Sequence, residues 1–200
     1  EQSGFIADLG YEAYQKILKE AVLELTTSEF ADTVTAQNDV TGSDDFVADC
    51  TIESDLEVLL PPDYVPQESE RINLYRELDG ITRKEELDAF AERLRDRFGA
   101  IPPVAQELLL IPLVRGNARR LGIEKVALKQ GMMYIYFVDE SNVAYYQSPM
   151  FGRLINYLQR YPQRVVIRQR EQLRSFAIKS VASVAEANDI LNEILSLESL

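Results

Sequence analysis

The sequence predicts an α+β fold: N-terminal helices, then antiparallel hairpins forming a small sheet, closed by a C-terminal helix. Three observations predict it. Apolar residues recur at helical spacing from Ile72 to Leu121. After Leu121 the pattern becomes that of strands, with Gln130-Gly131 and Glu171-Gln172 each interrupting a pair of strand-like runs. Ser183, with Glu186 three residues on, then opens a last helical pattern.

The elements follow in order. Tyr11, Tyr14, Ile17, Leu18, Ala21, Val22 and Leu25 predict a helix of about four turns starting after Gly10. Thr26 to Asp49 is rich in Thr, Asp, Asn and Gly and reads as a flexible acidic linker, bounded as residues 29–48. Thr51 to Leu59 alternates, with Ile52, Leu56 and Val58 opposite Glu53, Asp55 and Glu57, so a strand with one wet face is expected. Pro61-Pro62 ends it.

Three helices come next. The first starts near Pro66, carries Ile72, Tyr75 and Leu78, and ends before Gly80. The second is expected to use Thr82 and Glu85 as a capping box. Its stripe is Leu87, Phe90, Ala91, Leu94 and Phe98, with Gly99 where a left-handed cap is needed. The third opens at Pro102-Pro103 and stops at Gly122; Pro112, inside it, is expected to kink or split it. Strands are then expected over Ile123–Lys129, Met132–Val138, Arg164–Arg170 and Leu173–Lys179, with a helix around Met150–Arg160 between the hairpins. The final helix buries Val184, Ala187, Ile190, Leu191, Ile194 and Leu195.

Composition excludes much chemistry. The chain has 200 residues, 46% apolar, which supports one domain with a sizeable core and an appended piece. It has no histidine and one cysteine, Cys50, so His-based catalysis, an internal disulfide and a thiolate zinc cage are all excluded. There is no phosphate-binding Gly-Lys-Ser/Thr loop. There is also no apolar run of membrane-spanning length, and the acidic start lacks a signal-peptide pattern. A cytoplasmic location is expected.

Net charge is −12 and uneven. Residues 1–100 hold 9 basic against 24 acidic groups, or −15, while residues 101–200 hold 12 against 9, or +3. From Glu20 to Glu70 there are 14 carboxylates and no Lys or Arg. That half repels a phosphate backbone.

Several clusters invite a functional reading. Glu53, Asp55 and Glu57 have the residue types of a metal or acid pair, but read better as the charged face of an edge strand. Arg153, Arg160, Arg164, Arg168, Arg170 and Arg174 are opposed only by Glu171. Within this set Arg164, Arg168, Arg170 and Arg174 form a candidate patch for nucleic acid or an acidic partner, against the alternative that they pair with the chain's own acidic half. Tyr134, Tyr136, Tyr145 and Tyr146 suit base stacking or a half-buried sheet face. Asp96 lies in a helix's last turn, where the dipole disfavours an acid by about 0.3–1 kcal/mol. It therefore needs a cation: Arg93, Arg97 or one from outside.

Leu60-Pro61-Pro62-Asp63-Tyr64-Val65, Arg71-Ile72-Asn73-Leu74-Tyr75-Arg76-Glu77-Leu78, Glu86-Leu87, Asp96-Arg97-Phe98-Gly99-Ala100-Ile101-Pro102 and Leu121-Gly122-Ile123 occur in that order. Together they resemble the C-terminal domain family of bacterial transcription-repair coupling factors, from about Asp49 to Phe137 and more weakly beyond Ala144. Glu1-Gln2-Ser3-Gly4-Phe5-Ile6 and Gly10-Tyr11-Glu12-Ala13-Tyr14 resemble the exit from the translocation motif that coupling factors share with the RecG helicase. The acidic linker is longer than the family pattern, and Pro112 departs from it.

The resemblance implies three parts: residues 1–28 as the tail of the translocase module, residues 29–48 as linker, and residues 49–200 as a regulatory domain. It implies no catalytic residue, cofactor or metal in this chain, since the parent's ATP site lies outside it. It implies docking on the parent's N-terminal UvrB-like module, masking the surface that binds UvrA, with Arg93, Asp96 and Arg97 as interdomain contacts. The parent would bind RNA polymerase, UvrA and DNA. Self-association of the isolated chain through the Tyr11–Leu18 face is a further expectation. The alternative is a nucleic-acid-binding accessory module using the arginine-rich hairpin.

Overall fold

A computed structural model describes residues 46–139, 141–167 and 175–199. The expected N-terminal helix, nearly all of the linker, and Arg168, Arg170 and Arg174 lie outside these residues.

The fold is α+β, as the sequence predicts. The described elements are β1 (Thr51–Ser54), α1 (Glu68–Asp79), α2 (Lys84–Phe98), α3 (Pro103–Arg120), β2 (Ile123–Lys129), β3 (Met132–Phe137), α4 (Val143–Tyr146), α5 (Pro149–Arg160), β4 (Val165–Ile167), β5 (Ser175–Lys179) and α6 (Val184–Ser196). The strands form one sheet in the order β1-β2-β3-β5-β4. Three neighbouring pairs are antiparallel, but β1 joins β2 in parallel, so the sheet is mixed at one edge. Parallel neighbours need a long crossover, and α1, α2 and α3 supply it.

The β2–β3 hairpin turns at Gln130 (φ 54°) and Gly131 (φ 69°). Two positive φ angles are what a two-residue primed turn requires. The Gln130 N–H donates to the Asp55 carboxylate at 2.7 Å, which supports the non-glycine residue there.

Period-two side chains sort the sheet into faces. On the inner face Ile52 lies opposite Val126, Leu128 opposite Met133, and Ile135 opposite Phe176; all are buried. α3 packs on β1 and β2 and runs alongside α6. Ala105, Leu108, Leu109, Ile111, Pro112, Val114 and Ala118 of α3 are all buried, so this helix turns a broad apolar face to its neighbours. Its polar residues reach outward. The Glu107 carboxylate accepts from the Val184 N–H at 2.5 Å and the Ala185 N–H at 3.3 Å, capping α6. Arg115 pairs with Asp79 at 2.7 Å at the end of α1.

Three boundaries differ from expectation. β1 stops at Ser54, because the Ser54 hydroxyl accepts from the Leu56 N–H at 3.0 Å and turns the chain. The capping box of α2 is one residue later: Thr82 and Arg83 both donate their N–H to Glu86, not Glu85. Pro112 does not split α3, which is continuous from Pro103 to Arg120. Burial of its ring among the helix's neighbours offsets the backbone bond that the Leu108 carbonyl loses.

At the end of α3 the chain reverses at Gly122 (φ +69°), where an added Cβ would stand 2.2 Å from a ring carbon of Tyr145. Tyr145 is buried among Phe46, Phe137, Tyr146 and Phe151, and its hydroxyl donates to the Leu121 carbonyl at 2.9 Å. Gly122→Ala combines a disfavoured φ with overpacking and should destabilise the domain by roughly 2–4 kcal/mol in urea unfolding.

Candidate functional site: the end of helix α2

Leu87, Phe90, Ala91 and Leu94 bury one face of α2 and leave Arg93, Asp96 and Arg97 exposed. The helix ends at Gly99, with φ 85° and ψ −157°. That is a positive φ, as expected, but in the extended region that only glycine occupies readily rather than the left-handed helical one.

Residues of the recurring motifs hold this end in place. The Tyr64 hydroxyl lies 3.2 Å from the Leu94 carbonyl and 3.1 Å from the Gly99 carbonyl, both at the end of α2. Arg71 is buried at 6% exposure, and its guanidinium donates to the Val65 carbonyl at 2.7 Å and the Pro66 carbonyl at 3.2 Å. The Leu60 N–H donates to the Tyr75 oxygen at 2.8 Å. So α1 fixes the Leu60–Pro66 loop, and Tyr64 in that loop fixes α2.

The two arginines beside Asp96 are already engaged. Arg93 pairs with Glu77 and Arg97 with Glu70, both on α1. Their guanidinium groups also lie over Phe90 and Phe98, at 5.5 and 5.1 Å from the ring centres. Asp96 is exposed and forms no ion pair among the described residues. Sequence reasoning missed Glu70 and Glu77. Their seven-residue spacing places both on one face of α1, opposite arginines spaced by four on α2. Between the helices runs a shallow groove of about 340 Å³, lined by Gln67, Ser69, Glu70, Asn73, Leu74, Glu77 and Arg97.

The other candidates fall elsewhere. Arg164 donates to the carbonyls of Lys179 and Ser180, each at 3.1 Å, so it ties β4 to the end of β5. Arg153 donates to the Leu195 carbonyl at 2.9 Å. Backbone carbonyls, not the acidic half, are their partners. Tyr134 and Tyr136 are half-buried on the outer sheet face, where Tyr134 stands between Ala127 and Ala177. Cys50 is buried, and burial, helped by the Asp49 carboxylate, pushes its thiol up to about 12. Glu53 bonds Lys125 at 2.6 Å and Lys129 at 2.7 Å across the edge of the sheet. These two lysines hold its carboxyl below the usual range. Among the described residues no group of three or more His, Cys, Asp or Glu is placed to hold a metal, and no helix is long and apolar enough to cross a membrane.

Comparison with known proteins finds several likenesses. Residues 54–148 match the TRCF domain. The transcription-repair-coupling factor of Escherichia coli (strain K12) is 29% identical over 163 residues, covering 82% of this chain and 13% of that protein. The protein of the same name from Mycobacterium tuberculosis (strain CDC 1551 / Oshkosh) is 31% identical over 126 residues, 63% of this chain and 10% of that protein. That of Rickettsia typhi is 25% identical over 200 residues, 98% of this chain and 16% of that protein. The chain thus spans a small part of these relatives' length. A solved structure described as the C-terminal domain of transcription-repair coupling factor superposes with a TM-score of 0.57 at 20% identity, covering 74% of this chain and 96% of that one. This likeness shows the fold.

Glu53 gives a pH test. Its lowered value means that its stabilisation is present above the unfolded carboxyl pKa and is lost as pH falls through the folded one. Glu53→Gln should cost about 0.5–1 kcal/mol at neutral pH, discounted for an exposed edge. That difference should hold at neutral pH and shrink progressively as pH falls below the ordinary carboxyl range, in urea titrations across pH.

Proposed function

We propose, from the match of residues 54–148 to the TRCF domain, that this chain is a non-catalytic regulatory domain of a transcription-repair coupling factor. It docks on the N-terminal UvrB-like module of the parent protein and covers the UvrA-binding surface there. The parent binds RNA polymerase and DNA in the cytoplasm and moves on DNA with ATP at a site outside this chain. One observation carries the docking site. Asp96 is an exposed acid facing an unfavourable helix dipole, and the neighbouring cations that would satisfy it already belong to Glu70 and Glu77. A cation from the other module completes it, with Arg93 and Arg97 holding the frame.

Docking is an equilibrium between closed and open states. Roughly 3 kcal/mol of closure leaves the open state near 1%. Engagement of polymerase or DNA releases the UvrA-binding surface by favouring the open state. Of the arginines in the rival reading, a nucleic-acid surface, Arg164 is spent on backbone carbonyls, and the reading then rests on Arg168, Arg170 and Arg174, outside the described residues.

The test is a titration of this chain against the separately expressed UvrB-like module. Asp96→Arg should weaken binding at least tenfold, leave the thermal unfolding midpoint within about 2 °C, and be rescued by reversing the facing cation. Equal affinity of the wild type and Asp96→Arg would move the site away from this helix end. Salt-sensitive binding to DNA with no binding to the module would favour the rival.

A further inference from the structure

Gly116 sits inside α3, where glycine weakens a helix relative to alanine. A Cβ built there meets nothing within 4 Å, so no neighbour in the described chain demands the glycine. It lines a groove of about 500 Å³ between the end of α1, the second half of α3, and α6. Its lining mixes apolar side chains, Ile81, Pro112 and Leu113, with a set of polar groups. The Asn117 amide donates to the side-chain oxygens of Asn188 and Asn192, each at 3.0 Å, which leaves the amide donors of those two residues for an occupant. Arg119 and Arg120 close one end. The carboxylate of Asp79, on the opposite wall, is already neutralised by Arg115.

These features fit an extended acidic peptide. Side-chain amides match a peptide backbone, guanidinium groups match carboxylates, and a bare glycine lets a second backbone come close to the helix. A polyanion such as nucleic acid fits worse, since Asp49 and Asp79 also line the groove.

The chain itself contains such a peptide. Phe46 packs on Tyr145 at 5.2 Å between ring centres, and the Tyr145 hydroxyl bonds the carbonyl of Leu121, the residue after Arg120. Three residues on from Phe46, Asp49 lines the groove. Asp44 and Asp45 directly precede Phe46 and Asp39 lies a few residues further back, with no Lys or Arg between Glu20 and Glu70. Two residues of chain span about 7 Å at most, so an anchored Phe46 keeps Asp44 and Asp45 within reach of the α3 end that carries Arg119 and Arg120. A short tether gives it an effective concentration in the millimolar range, whereas a free acidic peptide would face a net charge of −12.

We infer that this groove is the seat of the chain's own acidic segment, with Asp44 and Asp45 against Arg119 and Arg120 and the backbone passing over Gly116. The seat is separate from the α2 docking surface, and its test does not depend on that reading. Docking would hold the linker against the domain and shorten the tether to whatever precedes it.

Hydrogen exchange on the full chain at low salt tests this. The amides of Asp39–Asp45 should exchange at least tenfold more slowly than in a free peptide of the same sequence. Gly116→Leu, which fills the groove, and the Arg119→Glu/Arg120→Glu pair should each return them to the free-peptide rate, with protection of α6 unchanged as the control for folding. Adding Asp44→Arg/Asp45→Arg to the Arg119→Glu/Arg120→Glu pair should restore protection. Free-peptide rates in the wild type would overturn the inference. So would protection that survives both groove variants.

Discussion

Helix α3 has to bury a broad apolar face, and the rest of the domain is arranged by that constraint. Packed against a sheet, a second helix and a crossover pair, it keeps only a narrow strip for polar groups. Three of its polar side chains are placed where another element needs them. Glu107 satisfies the first N–H groups of α6, a role that both the hydrogen bonds and the helix dipole favour. Arg115 meets the carboxylate at the end of α1, and Asn117 meets two asparagines of α6. Pro112 is tolerated for the same reason: tertiary packing holds both halves of the helix in line when one backbone bond is missing.

From α3 outward, order is handed to the candidate docking surface through polar contacts to the backbone. Arg71 and Tyr75 hold the loop after β1, and Tyr64 from that loop reaches the last carbonyls of α2. An arginine at 6% exposure is costly unless its donors are used, and here at least one donor is fixed on buried carbonyls. The motif residues that carry the family likeness are therefore mostly the scaffold of the site. Asp96 is the member of the run Asp96-Arg97-Phe98-Gly99 that the scaffold does not use.

How far this was legible in the sequence depended on the kind of signal. The helical stripes of α2, α3 and α6 and the Gln130-Gly131 turn could be read because burial and φ constraints act locally. The parallel pairing of β1 could not, because four residues with one wet side look the same beside either neighbour direction. Nor could the early end of β1, where one serine hydroxyl outweighs the alternation that continues to Leu59. At the site, Asp96, Arg93 and Arg97 were visible as a charged helix end. Glu70 and Glu77 were not, because the approach of α1 to α2 is a tertiary fact. The fates of Arg153 and Arg164 were hidden for the same reason: composition shows a cation, but not that its partner is a carbonyl many residues away.

The two proposed surfaces share α1. Its outer face frames the groove beside Asp96, while Asp79 at its end walls the groove around Gly116. Sharing an element is not coupling; coupling requires an element with two arrangements that both sites bias. α1 is pinned along its length, by Arg71 to the loop before it, by Tyr75 to Leu60, and by Asp79 to Arg115. A helix held at both ends and its middle is a rigid spacer. On this geometry, filling one groove leaves the other unchanged, and any link between linker and docking runs through the length of free tether rather than through the fold.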